Sequence, residues 1–282
     1  MAARRSAFYG ARVATADVVV FGAGFTGGAV CDAALSRGLT VLGVVRSEAS
    51  AEPLRARGIR VTTTNVLEVA REAVGPSTHA LVTFPPAGST DAALAPLLAK
   101  ARAVTYLSTT GVYEDLEGVI DSSTPVPPPA SPKYAAVLAA EAAYRAVGAA
   151  VLRSPGIYGA ERGIHLRLAR GQFKLSGDGS RYGSRIHVED LAALLLASAA
   201  TPGETFVVGD REPCRQRDMV AWLCAQMGLP FPASAPLAEV HETLRRNRRV
   251  DATGALQRLG VTLQYPTYRE AFARSFSRSS IP

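Results

Sequence analysis

A glycine-rich segment near the N-terminus constrains the fold of this chain more than any other feature. The apolar run Val18–Phe21 leads directly into three glycines, Gly22, Gly24 and Gly27, spaced G-x-G-x-x-G. A segment rich in Ala and Leu over 29–36 follows, with the composition of a helix. Because this spacing is specific only between a strand and a helix, the segment predicts a strand, a tight turn and a helix in succession.

Each position of this turn has its own physical task. Gly22 allows the turn, Gly24 lets a pyrophosphate approach the backbone, and Gly27 lets the helix lie close to the strand. Phe25 and Thr26 lie within the motif and are expected to contact the coenzyme, and the N-terminus of the helix that follows supplies unpaired N–H groups and a partial positive charge to the phosphates. The segment therefore predicts a binding site for a dinucleotide.

The end of the second predicted strand, over 40–45, indicates which dinucleotide is bound. The residues that follow it are Arg46 and Ser47. About 20 residues beyond the glycines, an NAD site usually carries Asp or Glu for the ribose hydroxyls. A guanidinium instead pairs with a 2′-phosphate through charge-assisted hydrogen bonds. We therefore expect NADP(H) to be preferred over NAD(H), and the alternative is that Arg46 is a solvated loop charge.

Strand and helix patterns alternate through the first half of the chain. Predicted elements include a short helix over 53–58, a fifth strand over 103–108 and an Ala-rich helix over 134–147. This alternation is typical of an α/β fold with a doubly wound parallel sheet of Rossmann type.

The domain organisation follows from the same order of elements. We expect residues 17–158 to form an NAD(P)-binding domain. Residues 159–282 are expected to be mostly a small substrate-binding lobe, with segments that return to the sheet domain. Residues 1–16 are interpreted as an N-terminal extension that need not be ordered.

Composition narrows the class of protein further. The chain has 282 residues, of which 48% are hydrophobic, and it contains no apolar run long enough to cross a membrane. Its three cysteines show neither metal-ligand spacing nor an even number for disulfides. We expect a cytoplasmic protein without a metal site.

The net charge is +7, and part of it lies in a basic cluster over 245–249. No nucleic-acid-binding motif and no interleaved aromatic residues accompany this cluster. We therefore expect no nucleic-acid partner, and interpret these arginines as closing over a small acidic ligand.

Several segments occur in a set order along the chain: the glycine motif, 106–113, 152–159 and 185–191. Together they resemble the short-chain dehydrogenase/reductase superfamily, in its extended and atypical branch near the NAD(P)-dependent epimerases and dehydratases. The resemblance covers about 18–272 and implies a Rossmann-type sheet, an NAD(P) coenzyme and a homodimer that pairs through helices of the sheet domain.

The resemblance also implies catalytic residues. Thr109 takes the position of the strand-end hydroxyl that binds the substrate oxygen. The next helix should carry Tyr-x-x-x-Lys, in which Tyr is the general acid/base. Tyr134 lies at the expected distance, but Leu138 stands four residues later. Lys133 or another cation could then ease the ionisation of Tyr134.

A second register of that helix is open. If Glu141 sets the register, Lys133 falls in the Tyr position and Val137 in the Lys position. The expected Tyr–Lys pair is absent in both registers.

Further binding residues are implied by position in the resemblance. Asn65 is expected near adenine, with a plain turn residue as the alternative. Arg185 and Tyr158 are expected to contact substrate, Arg185 through an anionic group. Residues expected on the nicotinamide side are Phe84, Pro85, Pro155 and Ile157, with a loop-breaking role as the alternative for the first pair.

These observations favour an NADP(H)-dependent oxidoreductase that acts on a small polar carbonyl or alcohol. One alternative is a sugar-nucleotide epimerase or dehydratase that uses bound NAD(P). The other is a regulatory protein that binds NADP(H) without turnover.

Overall fold

The computed structural model describes residues 15–278, so 1–14 of the expected N-terminal extension lie outside the described residues. The strands are β1 (Val18–Phe21), β2 (Val41–Val44), β3 (Arg60–Thr62), β4 (His79–Val82), β5 (Ala103–Thr109), β6 (Gly118–Ile120), β7 (Ala150–Ser154), β8 (Gly156–Tyr158), β9 (Leu175–Ser176), β10 (Tyr182–Gly183), β11 (Arg185–His187), β12 (Thr205–Val207), β13 (Cys214–Arg215), β14 (Ser234–Ala235) and β15 (Arg248–Val250). The helices are α1 (Phe25–Leu35), α2 (Glu48–Arg55), α3 (Val66–Glu72), α4 (Ser89–Leu98), α5 (Pro132–Arg145), α6 (Ile164–Ala169), α7 (Val188–Ala197), α8 (Gln216–Met227), α9 (Thr253–Leu259) and α10 (Tyr268–Arg278).

Seven of these strands form a central sheet in the order β12-β7-β5-β4-β1-β2-β3. Every neighbouring pair in it is parallel. The chain runs outward from β1 to β3 and then returns to place β4 on the other side of β1. This reversal is the switch point at which open parallel sheets bind ligands, beyond the carboxyl ends of the strands.

Helices cover both faces of the sheet. On one face α1 contacts α7, and on the other α3, α4 and α5 contact one another in turn. Strand β1 serves both layers, because Val18 and Val20 belong to one buried core while Val19 and Phe21 belong to the other. Burial on two faces explains why β1 is apolar at every position. The predicted doubly wound α/β fold is confirmed.

A third core lies in the C-terminal half of the chain, outside the sheet. It is built around Phe173, Leu223, Tyr268 and neighbouring apolar side chains, and it includes Tyr158. Two pairs of short strands connect this half to the rest, β11 with β8 and β15 with β6, and two further pairs, β10 with β13 and β14 with β9, lie within it. Strand β12 also belongs to this half in sequence, but it pairs with β7 at the edge of the central sheet.

Two predicted helix boundaries are wrong. The first helix begins at Phe25 rather than at 29, because the small residues that follow the glycine turn are buried in helical conformation. The second helix begins at Glu48 rather than at 53. The Ser47 side chain caps it by accepting from the Ser50 N–H, and Pro53 lies inside it. Among the described residues, no helix is long and apolar enough to cross a membrane.

Candidate active site

The glycine turn between β1 and α1 is closely fitted at two of its three glycines. Gly22 has a φ of +93°, and a Cβ there would lie 2.8 Å from the Phe84 nitrogen. A Cβ on Gly27 would lie 2.5 Å from the Gly22 oxygen and 2.7 Å from Thr83 Oγ1. Gly24 is exposed, and the nearest atom to its Cβ position is 4.0 Å away. The turn is therefore rigid on its inner side and open at Gly24.

Some backbone N–H groups of this turn are paired within it, and others are free in the described part of the chain. The Gly24 N–H donates to the Gly22 oxygen at 2.7 Å. Phe25, Thr26 and Gly27 form the first turn of α1, and within residues 15–278 their N–H groups have no hydrogen-bond acceptor. Unpaired donors at a helix N-terminus beside an open glycine fit the diphosphate of a dinucleotide.

The residues predicted to hold the adenosine end lie after β2 and β3. Arg46 is exposed and forms no hydrogen bond or ion pair within the described part of the chain. Ser47 caps α2, and the Asn65 Oδ1 accepts from the Leu67 N–H at 2.9 Å to cap α3. The side-chain oxygens of Ser47 and Asn65 thus have structural tasks, while the guanidinium of Arg46 has none.

A crevice of about 1030 Å³ lies beyond the carboxyl ends of β4, β5 and β7. Its volume is at the upper end of the range typical of small-molecule sites. Phe84 connects it to the glycine turn, because Phe84 lines the crevice and its backbone lies against Gly22. The predicted site residues that line it are Phe84, Pro85, Thr109, Lys133, Tyr134, Pro155, Ile157, Tyr158 and Arg185.

Thr109 ends β5 at the crevice. Its Oγ1 accepts from the Gly111 N–H at 2.9 Å and so caps the short 3-10 helix Thr110–Tyr113. No acceptor within the described residues takes the hydroxyl hydrogen. A hydroxyl can donate while it accepts, so this one is available to bind a substrate oxygen.

Tyr134 lies beside Thr109. Ser131 caps α5, and the tyrosine ring is 5% exposed. A Cβ on Gly111 would lie 2.5 Å from the ring Cε1 and 3.1 Å from Thr109 Oγ1, so the two side chains flank one glycine. The fold therefore brings together two residues that the sequence predicted to act on the same substrate.

A cluster of charged side chains surrounds the hydroxyl of Tyr134. That hydroxyl accepts from Arg246 Nη2 at 2.5 Å and donates to Glu242 Oε1 at 3.2 Å. Lys133 Nζ forms an ion pair with the same Glu242 carboxylate. The phenol, which lacks a lysine one helical turn later, is thus in contact with a guanidinium from 112 positions further along the chain.

The ion pair within this cluster shifts two pKa values. The hydrogen bond with Glu242 raises the pKa of Lys133, and the hydrogen bond with Lys133 lowers the pKa of Glu242. Both groups are therefore charged at neutral pH. The side chain of Lys133 is 60% exposed, which leaves it at the rim of the crevice.

Glu141 fixes α5 against the sheet. Its fully buried carboxylate accepts from Arg153 Nη2 at 2.7 Å and from Ser108 Oγ at 2.6 Å, and it also pairs with Arg145. Arg153 lies on β7 and Ser108 on β5, so this one carboxylate joins a helix to two strands. Val137, the Lys position of the Glu141 register, is 4% exposed and lines the crevice without a charge.

Arg185 has a structural task beside its predicted one. It is 8% exposed, and its guanidinium donates to the oxygens of Gly183 and Glu212 at 3.1 and 3.2 Å and to Cys214 Sγ at 3.3 Å. These bonds hold the loops around β10 and β13 in place. Binding of an anion by Arg185 stays a prediction.

Tyr158 lines the crevice next to His187, with 5.3 Å between the ring centroids. Its buried hydroxyl has no hydrogen-bond partner among the described residues, and burial raises its pKa. His187 itself accepts from the Glu189 N–H and caps α7. Contact of Tyr158 with substrate stays a prediction.

Glu242, Arg246 and Arg248 line the crevice, and the sequence alone gave none of them an individual role. The two arginines belong to the basic cluster over 245–249, which was interpreted as closing over an acidic ligand. Glu242 carried no signal, because its importance comes from contacts with residues 109 and 108 positions away.

Comparison with solved structures defines the class of this fold: it is the fold of the NAD-dependent epimerases and dehydratases, as the sequence predicted. A functionally unknown conserved protein from Silicibacter pomeroyi is 29% identical, with a TM-score of 0.77 over 93% of this chain and 98% of that one. UDP-glucose 4-epimerase from Thermotoga maritima, solved with UDP-glucose, is 20% identical, with a TM-score of 0.72 over 93% and 98%.

A third similar structure is DesIV, a dTDP-glucose 4,6-dehydratase from Streptomyces venezuelae, solved with NAD and TYD. It is 18% identical, with a TM-score of 0.75 over 92% of this chain and 94% of that one. At this identity the likeness establishes a shared fold. No family model and no curated protein matches the chain.

Proposed function

We propose that this chain is an NAD(P)-dependent oxidoreductase that prefers NADP(H) and acts on a small polar carbonyl or alcohol. One observation carries the proposal. The unpaired N–H groups at the start of α1 adjoin, across Phe84, a crevice in which Thr109 and Tyr134 flank a single glycine. A dinucleotide site and a pair of hydroxyls therefore meet at the switch point of the sheet.

The coenzyme would be held along this edge. The N–H groups of Phe25 and Thr26 would bind its diphosphate, and Arg46 would bind the 2′-phosphate. The walls formed by Phe84–Pro85 and by 155–157 would enclose the nicotinamide side. When bound, the coenzyme supplies hydride transfer to or from the substrate carbon.

The side chains of the crevice would manage the substrate oxygen and its proton. Thr109 donates a hydrogen bond to the carbonyl oxygen and orients it. Tyr134 donates the proton in reduction and receives it in oxidation. Arg246 stabilises the negative charge that remains on the phenol oxygen, since a charge-assisted hydrogen bond is stronger than a neutral one.

Two other functions remain as alternatives. Sugar-nucleotide epimerisation or dehydration is favoured by the solved structures of similar fold that hold UDP-glucose, or NAD with TYD. A regulatory protein that binds NADP(H) without turnover is favoured by Leu138, which stands where a lysine would complete the usual pair. Coenzyme binding, turnover and copurified NAD distinguish the three functions.

The first experiment measures binding of NADPH and NADH by nicotinamide fluorescence. In Arg46→Asp, the affinity for NADPH should fall by about 10- to 100-fold while that for NADH holds, because one or two charge-assisted hydrogen bonds are lost. Arg71→Asp on α3 is the matched control, with the same change of charge at an exposed position. An equal loss of NADPH affinity in both variants would show that Arg46 does not bind the 2′-phosphate.

The second experiment is a screen of carbonyl and alcohol substrates with both coenzymes. We expect Tyr134→Phe to lower kcat by about 10²- to 10⁴-fold, the range typical of a lost general acid, with unchanged NADPH affinity. Thr109→Val should also lose turnover and keep coenzyme binding. Turnover that survives in Tyr134→Phe excludes its role as the acid. NAD that copurifies and does not exchange would support the epimerase alternative.

Two properties predicted from the sequence complete the proposal. We place the protein in the cytoplasm, because its three cysteines are free and buried in the described structure. We also propose a homodimer, by analogy with the superfamily, and sedimentation of the purified chain would test it.

A further inference from the structure

One wall of the crevice is rich in positive charge. It is formed by the segment 241–248, in which Arg246 and Arg248 line the crevice together with Glu242. Within the described residues, Glu242 is the one carboxylate that lines it, and that carboxylate is paired with Lys133. Among the described residues, Arg246 and Arg248 form no ion pair, and the carboxylates that act on them are Glu242 and Asp115, which are not in direct contact with them.

Arg248 is the more unusual of the two. Its side chain is 6% exposed and forms no ion pair in the described structure. Its Nη1 donates to the backbone carbonyl oxygen of Glu114 at 2.9 Å. Burial and the neighbouring Arg246 lower the pKa of Arg248 to about 10. A buried cation without a counter-ion destabilises a fold, so an anion at this place would relieve a cost that the chain otherwise carries.

Arg246 connects this charge to the reacting groups. Its Nη2 donates to the Tyr134 hydroxyl at 2.5 Å and its Nη1 to the Gly111 oxygen at 2.9 Å. A guanidinium has five N–H donors, so further donors remain for a ligand. Because Arg246 touches the hydroxyl, an anion bound to it lies within a few bond lengths of the candidate proton donor.

We propose that Arg246 and Arg248 form an anion subsite that binds a carboxylate or phosphate of the substrate, close to the reacting carbonyl. A planar guanidinium matches both groups through two parallel hydrogen bonds. The part of this inference that concerns the carbonyl rests on the proposed function. It assigns the substrate to short oxo acids or small phosphorylated carbonyl compounds.

Anion binding is tested first without coenzyme or substrate, by calorimetry with inorganic phosphate and, separately, acetate. We expect Arg248→Met to lose at least about tenfold in affinity for one of the two anions. Arg249→Met is the matched control, because Arg249 is the exposed neighbour of Arg248 and carries the same charge but does not line the crevice. Equal affinities in the wild type and both variants would overturn the subsite.

Two further variants keep this test decisive. Arg248→Lys retains the charge and loses the fork, so it should bind more weakly than wild type even if Arg248→Met fails to fold. Arg246→Met should lower the affinity for the same anion. Phosphate held at the start of α1 would be unaffected by all three changes, which distinguishes that source of binding from the subsite.

The substrate class is tested second, with matched oxo acids, phosphorylated carbonyl compounds and uncharged analogues. In Arg248→Met, KM for the charged compounds should rise at least about tenfold, while KM for uncharged analogues should not change. An equal rise for both would overturn the assignment. If NADPH fails to bind while Arg248 still governs phosphate binding, the proposed function fails and the subsite stands.

Discussion

The glycine turn and the positively charged wall of the crevice are built in different ways. In the turn, part of the geometry comes from residues a few positions apart, such as Gly22 with Gly27, and part comes from Thr83 and Phe84, which follow β4. In the wall, Tyr134 contacts Arg246 across 112 positions, and Lys133 contacts Glu242 across 109. The turn therefore combines a local sequence pattern with support from neighbouring strands, whereas the contacts around Tyr134 in the wall join distant parts of the chain.

This difference separates binding from chemistry. Backbone N–H groups at a helix start attract phosphate through the geometry of the helix itself. The environment of the Tyr134 hydroxyl instead depends on where the segment 241–248 docks. Variation in that segment can change the surroundings of this hydroxyl while the glycine turn is kept, and in this way one fold can carry different sites.

The largest effect is expected at Glu141, which holds the α5 side of the crevice to β5 and β7. Glu141→Gln should lower the free energy of unfolding by about 3–5 kcal/mol, because it leaves the buried Arg153 without its counter-charge. Denaturant unfolding measures this. The matched control is Glu204→Gln, which breaks an exposed pair with Arg258 and should cost at most about 1 kcal/mol.

If Glu141→Gln lowered the free energy of unfolding no more than the control does, the buried contacts of Glu141 would not be what holds α5 against the sheet. A second variant keeps the test informative if Glu141→Gln does not fold. The double variant Glu141→Met with Arg153→Met removes both charges and should be more stable than Glu141→Gln, since neither charge is then left unpaired.

A middle-sized effect is expected in the glycine turn, where two substitutions should separate stability from binding. Gly27→Ala places a Cβ against the Gly22 oxygen and Thr83 and should cost about 1–3 kcal/mol of stability. Gly24→Ala meets no atom closer than 4.0 Å, so stability should hold while NADPH affinity falls. Thermal unfolding measures the loss of stability, and NADPH fluorescence measures the loss of affinity. An equal loss of stability in both variants would contradict the assignment of Gly27 to close packing and of Gly24 to binding.

The smallest effect is expected at the rim. Lys133→Ala breaks an exposed ion pair with Glu242, so its cost should be at most about 1 kcal/mol at neutral pH. The lowered pKa of Glu242 means that this contribution is present above its ordinary value of 4.5 and is lost as the pH falls through the folded-state value. The raised pKa of Lys133 means that it is present below the ordinary value of 10.5 and is lost at higher pH.

Unfolding free energies of the wild type and of Lys133→Ala should therefore differ most between these two limits and converge outside them. A difference that persists at pH 3 would show that Lys133 acts through its hydrocarbon chain. A difference well above 1 kcal/mol at neutral pH would place the pair among the buried contacts of the wall.

Most of the fold could be predicted from patterns that depend on neighbours in sequence. The apolar run of β1 and the spacing of the three glycines predicted the turn that the structure contains. Helix boundaries failed where capping decided them: Ser47 starts α2, although Pro53 was the more visible signal. Thr109 and Tyr134 were predicted to act together from a family resemblance, and in the structure both side chains lie against Gly111.

What the sequence determined by itself is the succession of strand, glycine turn and helix at the start of the sheet, because the apolar run and the spaced glycines that predict it lie within one short segment. Tertiary structure decided the neighbours of the phenol. Arg246 and Glu242 reach Tyr134 only because β15 pairs with β6 and brings the segment before it over the start of α5. No periodicity in the chain encodes that meeting, since the energy of a charged contact depends on distance in space and on burial, which folding alone sets.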